Sequence, residues 1–158
     1  MGSGKSYWGK LWSEVSGMKF FDVDELIEKQ EQKTIADIFE TKGEAYFREK
    51  ESIILKSVAQ YDHCIIATGG GAACHDDNLN WMNQHGKTVY LKASPFKLFE
   101  NINTEIDQRP LFKNINKAEI LFFIEQKLKE RTVFYEAAQL ILPISEINES
   151  TITEIISQ

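Results

Sequence analysis

Three short stretches and three scattered arginines carry the residue types that can do chemistry in this chain. Gly2-Ser3-Gly4-Lys5-Ser6 ends as a phosphate-binding loop ends, in the pattern G-x-x-x-x-G-K-[ST]. Consecutive amides at Gly2, Ser3 and Gly4 can form a concave nest for an anion, helped by the positive end of the helix that follows. Lys5 would then reach the β and γ phosphates, and Ser6 would offer a hydroxyl to Mg2+. Only that hydroxyl is demanded, so Tyr7 is no objection. The competing reading is a plain helix start, which also favours Gly and Ser. On the loop alone the two readings stand level, because the first glycine of the pattern would fall two places before Met1.

The second stretch is Phe20-Phe21-Asp22-Val23-Asp24. Asp22, at a strand tip, can hold magnesium through water or orient Ser6. Asp24, two residues on, faces the same side of an extended chain and can bind substrate hydroxyls and accept a proton. The alternative is an acidic helix start with Asp24 as its N-cap. The third stretch is the triplet Gly69-Gly70-Gly71 after an apolar run. It can be a turn, but three glycines remove every side chain where a backbone must approach a ligand. They also cost conformational entropy that a plain turn does not require.

Of the 18 basic residues only three are arginine: Arg48, Arg109 and Arg131. Lysine supplies the ordinary surface charge. An arginine in that background suggests a task for a planar fork that grips carboxylate or phosphate bidentately, which lysine cannot copy. The competing reading, a surface ion pair of little energetic weight, is respectable for any one of them and less so for all three.

The elements that must position these residues follow from the hydrophobic period. Helices are predicted at 5–15, 24–31, 34–40, 44–58, 78–85, from about 95, at 117–138 and at 151–158. Strands are predicted at 19–22, 63–68, 87–92 and 140–143, and 107–116 reads as a polar loop. Strands alternating with helices imply an α/β layer with a parallel sheet. In such sheets ligands sit beyond the carboxyl ends of the strands, where the acidic pair and the glycines fall.

Composition sets the frame. The chain has 158 residues, 42% hydrophobic and 27% charged, with net charge −6. That describes one globular domain, 1–158, with no repeats. The acidic balance argues against a nucleic-acid surface while leaving room for a local cationic pocket. No apolar run reaches membrane-spanning length. Cys64 and Cys74 lack metal-ligand spacing and read as reduced thiols of a cytoplasmic protein. His63, His75 and His85 form no metal arrangement, and Trp8, Trp12 and Trp81 read as packing residues. A monomer is expected from the size.

GSGKS, FFDVDELIE, TIADIFETKGEAYFREKE, IIATGGG, TVYL, RPLF and KERTVFYEAA occur in the order and near the spacing of one family. Through about Ala138 the chain resembles shikimate kinase, in the nucleoside-monophosphate-kinase-like branch of the P-loop fold. The resemblance implies a three-layer parallel sheet flanked by helices, with strand order 2-3-1-4-5. It implies ATP-dependent phosphorylation of the 3-hydroxyl of shikimate, a step toward chorismate and the aromatic amino acids. By that resemblance Gly2, Ser3, Gly4, Lys5, Ser6 and Tyr7 hold ATP, with Ser6 and Asp22 serving Mg2+. Asp24 sits at the attacking oxygen, and Arg48 and Arg131 clamp the carboxylate. Gly69, Gly70 and Gly71 contact shikimate, within a substrate-holding part at about 24–58. Arg109 belongs to a lid at about 107–116.

Two departures stand out. Many family members carry an arginine near the adenine some seven residues before the lid arginine, where this chain reads NINTEI. The strand that would lead into the phosphate loop, the middle of the sheet, is absent from the sequence. Met1 therefore reads as an internal methionine of a longer natural chain, the alternative being a rearrangement that fills the gap; for the 158 residues alone, lowered stability or weak activity is expected. Two other functions stay open: a related small-molecule kinase with a gluconate-like acceptor, and a ligand-binding domain without catalysis.

Overall fold

A computed structural model describes residues 2–103 and 117–157. The chain divides into two compact units. One holds Lys5–Gly86 and Asn148–Gln158, the other Lys87–Ile147 with the residues up to Gly4.

In the first unit, α1 (Lys5–Ser16) leads through Gly17 into β1 (Lys19–Asp22) and α2 (Val23–Glu31), followed by α3 (Ile35–Val58). Then come β2 (Cys64–Ala67), a 3-10 turn at Ala72–Cys74, and α4 (Asn78–His85), with α7 (Thr151–Ser157) at the end. The two predicted segments 34–40 and 44–58 are one helical run broken at Gly43, whose φ of 82° and ψ of 170° are not helical. Thr34 opens that run with a capping box: its hydroxyl accepts the Asp37 amide while the Asp37 carboxylate accepts the Thr34 amide. Val23, Ile27, Ile38, Phe47, Ile54 and Leu55 recur at helical spacing, so one stripe of α2 and of α3 closes into a buried core.

β1 pairs in parallel with β2, Lys19 opposite Cys64 and Asp22 opposite Ala67. α1 lies close on β1: a methyl group on Gly9 would stand 2.3 Å from the Phe20 ring. Trp12 is buried, and its indole N–H donates to the Asn148 carbonyl at 2.9 Å, tying α1 to the chain leading into α7.

In the second unit, β3 (Val89–Lys92) and α5 (Pro95–Asn103) precede α6 (Lys117–Tyr135) and β4 (Leu140–Pro143). β3 pairs in parallel with β4, and Leu98, Ile102, Ile120 and Ile124 form a separate small core. The four described strands make two separate pairs, β1-β2 and β3-β4. Each pair joins strands that are neighbours in the expected order. No described helix is long and apolar enough to cross a membrane.

Candidate active site

The carboxyl ends of β1 and β2 lie side by side, since Asp22 and Ala67 are paired in register. Asp22 is buried there and uses both oxygens. Oδ1 accepts the amides of Asp24 at 3.0 Å and Glu25 at 3.4 Å, capping α2; Oδ2 accepts the Ser6 hydroxyl at 2.5 Å. The cap is thus Asp22, in place of the Asp24 that sequence offered as an alternative. The physical reason is that Asp22 is extended (φ −106°, ψ 117°) and directly precedes the first helical residue. Asp24, inside the first turn, is left with a carboxylate not engaged in capping.

That carboxylate is the unusual group of the site. Asp24 Oδ1 is buried with no hydrogen-bond partner among the described residues. Burial, and then the negative charge of Asp22, push its pKa above the usual carboxylate value; Lys5 and then Arg48 pull the other way. Lys5 opens α1, directly after a loop in which Gly2 (φ 68°) and Gly4 (φ 77°) hold the left-handed conformations that a nest of amides requires. Asn101 donates to the Gly2 carbonyl at 2.7 Å, and a methyl group on Gly2 would stand 2.8 Å from the Leu98 carbonyl oxygen. Tyr7 is exposed and meets Trp8 edge-on.

Arg48 projects from the second half of α3. Its side chain is only 12% exposed, and its guanidinium lies 5.1 Å over the Phe47 ring. Nη1 donates to Glu51 Oε2 at 2.7 Å; Nε and Nη2 both donate to Glu44 Oε1, at 3.2 and 3.1 Å. The glycine turn closes over these groups. A methyl group on Gly69 would fall 2.5 Å from Glu51 Oε1 and 3.1 Å from Asp24 Oδ1; on Gly71, 2.4 Å from Arg48 Nη2. Two of the three glycines are therefore bare so that protein side chains can approach them, and Gly70 lies in the turn between.

The structure thus brings together Ser6, Asp22, Asp24, Arg48 and the glycine turn. Arg131 is half-buried on α6, within the second unit. Arg109 and the segment 107–116 lie outside the described residues.

Sequence reasoning assigned no role to Glu51, which is wholly buried. The signal available was its place three residues after Arg48, on the same helix face. It also passed over Asn78, buried at the start of α4. Asn78 accepts the Ser52 hydroxyl at 2.9 Å and donates to the Ala72 carbonyl at 3.1 Å, fastening α3 to the glycine turn.

A family description, shikimate kinase, matches residues 1–158 of the chain. The chain belongs to the shikimate kinase family. It is 39% identical over 149 residues to the shikimate kinase of Bacteroides thetaiotaomicron, covering 94% of this chain and 85% of the relative. The crystal structure of a shikimate kinase from that organism superposes with a TM-score of 0.92 at 37% identity, over 99% of this chain and 92% of the other. A shikimate kinase from Acinetobacter baumannii, solved in complex with shikimate, superposes with a TM-score of 0.83 at 30% identity, over 99% and 87%. The fold is accordingly the α/β fold of the shikimate kinases, and the chain is a phosphotransferase acting on small molecules, with ATP as phosphoryl donor and shikimate as acceptor.

Proposed function

We propose that the γ-phosphoryl group of ATP passes to the 3-hydroxyl of shikimate with Asp24 as the proton acceptor. The bond from the γ-phosphorus to the bridging oxygen breaks, the bond to the 3-oxygen forms, and the hydroxyl proton goes to Asp24. The observation that carries this reading is the Asp24 carboxylate: buried, with an oxygen lacking a hydrogen-bond partner among the described residues, beside the forked cation Arg48. A carboxylate whose pKa is raised is a better base. Arg48 and Arg131 hold the substrate carboxylate bidentately, and the backbone of Gly69, Gly70 and Gly71 lines the acceptor. The amides of Gly2 to Ser6 cradle the triphosphate, and Lys5 neutralises charge on the phosphoryl group in flight. Arg109 acts from a lid at about 107–116, and residues 24–58 form the acceptor-holding part of a single kinase domain.

Ser6 Oγ and Asp22 Oδ2 supply hard oxygen donors that suit Mg2+. Ser6 and Asp22 would be the chain's own contribution to holding the ion. When bound, the ion neutralises phosphate charge. Neither cysteine is in a disulfide, which supports a reducing, cytoplasmic setting; a monomer fits the size of the chain. ADP release measured with shikimate, with gluconate and with neither acceptor tests the assignment. Release with shikimate alone is expected; gluconate-stimulated turnover, or shikimate binding without ADP, overturns it.

A further inference from the structure

We propose that Glu44 is a built-in competitor for the anion-gripping edge of Arg48, a positioning residue that the substrate carboxylate displaces as it docks. This rests on the reading of Arg48 as a carboxylate clamp. The two carboxylates on that guanidinium differ in kind. Glu51 takes Nη1 with a side chain that is 0% exposed, so the pair is fixed: separating it would strand a charge away from water. Glu44 takes the Nε and Nη2 edge with a side chain that is 57% exposed, so it can return to water at little cost.

The way Glu44 holds the edge also matters. One oxygen, Oε1, accepts both N–H groups. An arriving carboxylate can instead offer one oxygen to each, in the parallel bidentate arrangement that gives such pairs their strength. The exchange therefore favours a ligand with a bidentate anion over one with a single accepting oxygen. Glu44 filters as well as competes.

Its surroundings permit the exchange. Gly43, immediately before it, breaks the helical run, so Glu44 begins a segment with no helical turn behind it. His75 Nε2, just past the glycine turn, lies 3.7 Å from the same Oε1.

The test is calorimetric titration of shikimate into the full chain without nucleotide. Glu44→Gln, which keeps shape and loses charge, is expected to tighten shikimate about three- to fivefold, the range of a half-shielded pair. It should leave unchanged the affinity for the analogue whose carboxylate is reduced to an alcohol, which a merely structural role would not distinguish. Glu44→Ala should tighten shikimate likewise, and thermal melts of both variants confirm folding. Unchanged or weaker shikimate binding by the two variants overturns the proposal. Arg48→Lys separates the failures. If it weakens shikimate while neither Glu44 variant strengthens it, only the competitor falls; if it binds as the parent does, the clamp reading falls and takes this proposal with it.

Discussion

β1 and β2 pair over four residues, from Lys19 with Cys64 to Asp22 with Ala67; β3 and β4 pair over four, from Val89 with Leu140 to Lys92 with Pro143. Both pairs are parallel and flanked by helices, yet they differ in where their charge lies. The first ends in a buried aspartate, beside a second carboxylate with an oxygen unpartnered among the described residues and near a shielded arginine. The second ends in Lys92, whose ammonium meets Glu136 at 2.9 Å with the two side chains 51% and 46% exposed. Pleat and register are therefore not what makes a site. Charge is cheap to place in water, where it does little, and costly to shield, where its interactions gain strength.

Substitutions can break or sharpen that contrast. Asp24→Asn should lower turnover by about 10²–10⁴-fold, the usual effect of removing a general base. It should also raise the melting temperature. Because the Asp24 pKa is raised in the fold, its contribution to stability is full below its unfolded value and lost as pH rises through the folded one. The gap in melting temperature between variant and parent should therefore widen with pH; a gap independent of pH, or a less stable variant, contradicts the assignment.

Glu51→Ala should destabilise by about 3–5 kcal/mol in urea denaturation, since it leaves Arg48 shielded without its fixed partner. Glu31, away from the site, receives Lys42 at 2.8 Å and the Tyr46 hydroxyl at 2.9 Å, and these bonds pull its pKa down to about 2. Its contribution is present above about 4.5 and is lost as pH falls toward about 2. Glu31→Gln should thus be less stable than the parent at neutral pH, with the difference shrinking on acidification. Smallest of all, Glu136→Ala should change stability by less than about 0.5 kcal/mol and leave the KM for shikimate unaltered. A large effect there would erase the contrast between the two strand pairs.

Much of the scaffold was legible because local rules acted alone. Lys19–Asp22 was readable as an apolar run stopped by acid, and Leu140–Pro143 as a short apolar run in polar surroundings. The break at Gly43 falls in the gap between the two predicted helices, 34–40 and 44–58. Ends were less clear: His63, Thr68, Lys87 and Thr88 flank their strands, and the long helix stops at Tyr135, short of Ala138. Within the site, Ser6, Asp22, Asp24, Arg48 and the glycines were nameable from residue type. The burial of Glu51 was not, because it depends on the glycine turn, distant in sequence, folding over it. Nor was the choice of Asp22 over Asp24 as cap, which depends on a single backbone dihedral pair.

The divided duty of Asp22 has one more consequence. Because one oxygen fastens α2 and the other receives Ser6, this proposed cation ligand cannot be retuned in isolation. Anyone re-engineering this enzyme for a softer ion would first have to supply another anchor for the helix that presents the proposed base, or accept both faults at once.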